Sequence, residues 1–269
     1  MFYDTHAHIL MTSRHMAEGP VNLLTDLFTQ EGIKEFPFIL DIGTEGGDLK
    51  NRRDFFCGKI PDNVFFTAGI WPSKTSIENQ DLEIKKLLED LENIKKYKII
   101  GIGEAGFDRR ENDTTNVGNL MEEKRLFLRQ IEVAKAKNLP VIVHSRDAYK
   151  ETYETISESG YSKGVIHCFS YGLKEALSFV ELGFYISFSG IITYKKNEYI
   201  REAVRKIPKE KILLETDSPY LSPQPFRGKT NTPAYIRETY KKAAEILGLS
   251  LEDLCLLVKE NTNRLFNLS

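Results

Sequence analysis

Phe2-Tyr3-Asp4-Thr5-His6-Ala7-His8 opens the chain as a short apolar run that sets Asp4, His6 and His8 two residues apart. In an extended strand alternate side chains share a face, so this spacing crowds two imidazoles and a carboxylate together. Burying three such groups needs compensation, and a divalent cation supplies it for all of them at once. A lone His-X-His near a terminus is as often a pair of surface histidines. What gives this one weight is that other strand-like runs, distant in sequence, also end on metal-ligand side chains.

Working outward, apolar runs of strand length recur at 36–43, 64–70, 98–104, 141–144, 164–167, 184–190 and 212–217. Between them the apolar spacing turns helical, predicting helices over 21–32, within 47–59, and over 81–96, 119–137, 148–159, 174–182 and 199–206. Past a Pro-rich loop, Thr232-Pro233 predicts an N-cap with proline at the first helical position, and Ser250 with Asp253 predicts the start of a last helix. Strands that are continuously apolar and alternate with helices belong to a parallel sheet covered on both faces. For 269 residues the expected fold class is a (β/α)8 TIM barrel. An open doubly wound sheet competes, but at about 4.8 Å per strand it scatters the strand ends, whereas a barrel gathers them at one rim. With no internal repeat, low-complexity tract or linker, residues 1–269 read as one domain.

Hydrophobic content of 41%, charged content of 28% and a net charge of −2 are those of a soluble globular protein. That balance argues against coating long stretches of nucleic acid, but leaves room for a pocket that takes one phosphate end. Cys57, Cys168 and Cys255 are odd in number and far apart, so they are expected as reduced thiols. No basic leader or membrane-length apolar run is present, and the expected location is cytoplasmic, with no membrane association and no obligate protein partner.

The residues that a barrel would bring to one rim are His6, His8, Glu104, His144, His167 and Asp217; of five histidines, only His15 stands outside the pattern. For any one of them a hydrogen-bonded structural histidine is the commoner explanation; for four imidazoles and two carboxylates together it is not. Six donors exceed one tetrahedral site and suit two divalent ions bridged by a carboxylate. Mg²⁺, Mn²⁺ and Zn²⁺ all accept such ligands.

Six segments in order resemble the TatD family of metal-dependent deoxyribonucleases, within the amidohydrolase-type barrels: DTHAH (4–8), GEAGFD (103–108), LPVIVHSRDA (139–148), GVIHCFS (164–170), LLETDSPYL (213–221) and RGKTNTP (227–233). The resemblance implies that His6 and His8 hold one metal, that Glu104 bridges to a second beside His144 and His167, and that Asp217 closes the site near the attacking water. It also implies two-metal activation of water, with Asp217 as candidate general base and Glu104 as an electrostatic bridge. Phosphate contacts are expected from Arg227 and Lys229 after strand eight, from Arg146, and from Ser218, although Arg227 bracing its loop and Ser218 capping a turn are equal readings. Asp108 and Glu215 are candidate carboxylates behind the histidines. The chain departs from the family pattern at Gly69-Ile70-Trp71-Pro72-Ser73, where relatives carry a histidine-containing motif. There Trp71 either stacks a base or plugs the pocket. Glu123 stands where relatives often have glutamine.

The expected activity is divalent-metal-dependent cleavage of phosphodiester bonds in DNA ends or short oligonucleotides, as a 3′–5′ or otherwise end-directed deoxyribonuclease. Two alternatives carry different chemistry: a metal-dependent deacylase or amidohydrolase acting on an ester or amide such as aminoacylated tRNA, and a non-catalytic metal-binding interaction protein.

Overall fold

Eight parallel strands follow one another in sequence order around a barrel: β1 (Tyr3–Ala7), β2 (Phe38–Asp41), β3 (Val64–Ala68), β4 (Ile99–Asp108), β5 (Val141–Arg146), β6 (Gly164–Ile166), β7 (Tyr185–Phe188) and β8 (Ile212–Leu214). The structure, a computed structural model, describes residues 1–16, 22–112 and 117–268. Each strand pairs in parallel with the next, for example Ile39 with Val64 and Val143 with Ile166. The ring is closed just beyond β8. There Ala7 bridges Ser218, His8 N donates to Ser218 O at 2.9 Å, and Asp217 N donates to His6 O at 2.9 Å. Asp4 completes the join, accepting from Thr216 N at 2.9 Å and from Thr216 Oγ1 at 2.6 Å.

Helices cover the outside, so nearly every strand residue is buried, as the continuous apolar runs require. The helix Val117–Lys137 lies against β4, where Phe127 meets Phe107 edge to face at 5.7 Å between ring centroids. Such a pair adds about 0.5–1.5 kcal/mol to the stabilisation from burial alone. Inside the barrel, Thr5 Oγ1 donates to Leu214 O at 3.1 Å and lies 3.2 Å from Ser187 Oγ, so the few polar side chains there satisfy one another.

Several expectations are corrected. β4 does not end on Glu104 but runs on to Asp108, and β8 stops at Leu214, so Glu215, Thr216 and Asp217 belong to the closing segment. The helix expected over 21–32 is broken: Thr29 is extended (ψ 168°) and caps a separate helix, Gln30–Glu35, by accepting from Gly32 N. Val21 lies outside the described residues. A further helix, Ile9–His15, carries no local cap signal, because its cap is remote: Ile9 N donates to Asp41 Oδ1 at 2.8 Å. Pro233 does open a helical turn, yet Thr232 supplies no side-chain cap. Ser250 caps its helix as expected, accepting from Asp253 N at 3.0 Å. The three cysteines are free. Among the described residues no helix is long and apolar enough to cross a membrane.

Candidate metal centre

His6 lies in β1, and His8 occupies the N-cap position of the helix that follows. Their Nε2 atoms stand 3.3 Å apart. Glu104 Oε2 lies 3.6 Å from each, and so does Asp217 Oδ1. Bonds of roughly 2.0–2.2 Å to a tetrahedral cation imply donor–donor edges of about 3.4 Å, and these five separations straddle that length. The other oxygen of the same carboxylate faces a second histidine pair. Glu104 Oε1 lies 2.6 Å from His144 Nδ1 and 2.9 Å from His167 Nε2, which are 3.1 Å from each other. Between the two groups the His6 and His167 rings stack, with centroids 3.9 Å apart.

Glu104 reaches this position through a break in strand pairing. The β4–β5 register shifts between Ile102 and Ala105, and Glu104 N turns to donate to Gly43 O at 2.7 Å. The backbones are then so close that a Cβ on Gly69 would sit 2.2 Å from the carbonyl carbon of Gly103. Asp217 is aimed in a comparable way. Its φ of 56° is left-handed, a conformation costing on the order of 1 kcal/mol for a residue with a side chain, and its N–H bond to His6 holds it there.

Supporting carboxylates set the imidazole orientations. His144 Nε2 lies 2.9 Å from Asp108 Oδ2, which takes up that N–H and leaves Nδ1 facing Glu104. Asp108 is itself fixed, its Oδ1 accepting from Arg110 N at 2.9 Å and Glu111 N at 3.0 Å. Glu215 approaches His167 Nδ1 at 3.5 Å, beyond hydrogen-bond length, and instead accepts from Cys168 N.

Burial pushes the Glu104 carboxyl up, but His167 and His144 beside it hold it well below the usual carboxylate range. Asp217 is likewise lowered, burial being outweighed by His8 and His6. Burial opposes charge on His167, His144 and His8, yet the neighbouring carboxylates raise all three. His6 is lowered by burial and by His167. Asp4, fully buried, is pushed up to about 8 by desolvation. It serves barrel closure rather than the donor cluster.

The six residues expected to converge thus stand together. Arg146, half exposed, has its guanidinium 3.6 Å from Asp108 Oδ2, beside the His144 end. Arg227 lies over the Tyr194 ring at 4.6 Å, so it braces its loop through an aromatic face rather than through an acid. Ser218 is corrected as a substrate contact: it is fully buried, its hydroxyl has no partner, and its backbone closes the barrel. Trp71 does not seal the mouth, since it lies edge-on to His144 while the His144 and Asp217 side chains keep 14% and 13% of their exposure.

A buried polar frame surrounds the site, of which the sequence pointed only to Glu123 and not to its role. Glu123 accepts from Asp108 N and from Asn112 Nδ2, each at 2.9 Å, and pairs with Arg109. Gln130 bonds both the N–H and the C=O of Ile70, at 2.8 and 2.9 Å. Arg52 pairs with buried Asp41 at 3.0 Å and donates to Thr67 O at 2.6 Å. The detectable signal was periodicity: Glu123 and Gln130 share an apolar helical stripe with Phe127 and Ala134.

A histidine and carboxylate cluster of this kind, held at the strand ends of a (β/α)8 barrel, marks a metal-dependent hydrolase. The family model described as TatD related DNase matches residues 3–267, and the chain belongs to that family. It is 32% identical to the uncharacterised metal-dependent hydrolase YcfH of Escherichia coli strain K12, over 98% of this chain and 95% of that one. It is 30% identical to the uncharacterised metal-dependent hydrolase YabD of Bacillus subtilis, over the full length of both. Among solved structures, the TatD homologue YJJV of Escherichia coli K12 superposes with a TM-score of 0.82 at 25% identity, covering 100% of this chain and 98% of the other.

Proposed function

We propose that His6, His8, Glu104, His144, His167 and Asp217 hold two divalent cations and that the chain, acting as a single hydrolase domain, cleaves phosphodiester bonds at DNA ends. The observation that carries this reading is the division of one carboxylate, Glu104 turning Oε2 to His6 and His8 and Oε1 to His144 and His167. The donor set itself supports the fit: His6, His8 and Asp217 offer ligand atoms within 4.8 Å of one another, as do His6, Glu104 and His167, and cations among these donors would offset the burial of so many lone pairs. Divalent ions held there lower the pKa of water and neutralise charge developing on phosphoryl oxygens.

The protein groups do the rest. Asp217, held ionised by His8 and His6, is the general base: it takes the proton of the attacking water and returns it to the leaving alcohol. Glu104, also ionised, fixes the spacing of the two donor groups. In the neutral His144 ring Asp108 holds the proton on Nε2, which leaves the Nδ1 lone pair toward the site. Arg146, exposed beside that histidine, offers a guanidinium fork to a phosphate.

To test this, the purified chain is incubated with Mg²⁺ or Mn²⁺ and end-labelled single-stranded DNA, and in parallel with aminoacylated RNA. Metal-dependent release of labelled mononucleotides, absent in Asp217→Asn, supports the reading. Release of amino acid alone assigns the centre to ester hydrolysis and overturns it.

A further inference from the structure

Two aromatic side chains flank the donor cluster from opposite ends. Trp71 lies against His144, with centroids 5.9 Å apart and planes at 75°. Tyr220 lies against His8, at 6.5 Å and 72°. These are the histidines that face different oxygens of Glu104. A molecule bound across Glu104 therefore has one ring on each side.

Both rings are held by more than their own contacts. Around Trp71, Gln130 fixes both backbone groups of Ile70, Trp71 N donates to Thr44 O at 2.8 Å, and Asn112 Nδ2 donates to Pro72 O at 2.8 Å. Gln130 and Asn112 are buried, so this rim segment is anchored by polar groups taken out of water, an arrangement that makes three successive residues rigid. Tyr220 is 48% exposed, yet it too is pinned. Its N–H donates to Asp217 O at 2.9 Å, Asn231 Nδ2 donates to its carbonyl at 2.5 Å, and its hydroxyl donates to Met11 Sδ at 2.9 Å. His15, the histidine outside the cluster, meets the same ring at 6.4 Å. A large apolar surface kept rigid and partly open beside a polar centre is suited to stacking on a planar ligand.

We propose that Trp71 and Tyr220 are stacking walls for the bases on either side of the scissile phosphate, so that full affinity requires a base on both sides of the bond. This deepens the phosphodiesterase reading and rests on it. A phosphodiester with a base on one side alone uses one wall.

Trp71 is the only tryptophan in the chain, so intrinsic emission reports on this wall directly. The full-length protein in Mg²⁺ is titrated with a phosphorothioate-linked thymidine trinucleotide, with the same backbone carrying abasic residues, and with inorganic phosphate. Binding of labelled forms of both trinucleotides is followed separately by anisotropy. Saturable quenching by the base-bearing strand alone is expected. Equal quenching by the abasic strand, or none by a base-bearing strand that anisotropy shows bound, overturns the proposal. Trp71→Leu and Tyr220→Leu should each raise KM by roughly 5- to 150-fold, the range for one lost stack, with kcat little changed and Trp71→Phe restoring most of the loss. A fall in kcat at constant KM in folded variants rejects the stacking role. A strand that quenches Trp71 but is never cut keeps the walls and rejects the phosphodiesterase reading; a chain that binds no nucleic acid rejects both.

Discussion

Asp108 Oδ2 lies 2.9 Å from His144 Nε2, and this contact decides which nitrogen of the imidazole looks into the site. Without it the ring is free to rotate or change tautomer. Asp108→Asn keeps an oxygen for the N–H groups of Arg110 and Glu111, whereas Asp108→Ala does not. Metal affinity, measured by calorimetric titration, is expected to fall about 10-fold for the first and about 100-fold for the second, with far-UV circular dichroism unchanged for Asp108→Asn.

Glu104→Gln retains shape but replaces an anion shared by two histidine pairs with an amide that presents one oxygen. Its effect should exceed the roughly 10- to 100-fold loss that follows removal of a supporting carboxylate. Elemental analysis should show bound metal falling to one ion or none per chain. Two ions in the variant would contradict the bridging role.

The metal-free site carries protons that a cation must displace. His8, His144 and His167 are all raised above the ordinary imidazole value of 6.5, so near neutral pH they are protonated more fully than free imidazole. Ligation requires the neutral ring, so protons are released on binding and affinity rises with pH through and above that value. Calorimetry in two buffers of different ionisation enthalpy should give net proton release at pH 7. Proton uptake, or an affinity flat between pH 6 and pH 8, is the contrary result.

Arg52 and Asp41 are a buried ion pair, with side chains 6% and 1% exposed. Arg52 also donates to the carbonyls of Asp41 and Thr67, tying β2 to β3 below the cluster. Arg52→Met leaves Asp41 charged and unpaired and should destabilise the fold by about 3–5 kcal/mol. The denaturant midpoint reads this, and a change below 1 kcal/mol would show the pair to be dispensable.

The barrel was legible because continuous apolar strands and amphipathic helices alternate, and the histidines because they lie within such strands or directly after them. Glu104 was visible as a residue but not as a geometry: a register shift inside a ten-residue strand, not a strand terminus, turns it inward. The helix Ile9–His15 was missed because its cap, Asp41, comes from another strand. Gln130, and the role of Glu123, were not legible because a helical stripe is read by its apolar members, while the polar ones on the same stripe hold the rim segments that carry Trp71 and Asp108.

The hydrogen bond from Asp217 N to His6 O joins residues more than two hundred positions apart. During synthesis, then, the opening histidines must wait for nearly four-fifths of the polypeptide before their last partner emerges. Cation capture becomes a late event in biogenesis, and a ribosome-stalled fragment ending after His167 but before Asp217 should carry every imidazole of the cluster and still lack a finished cage.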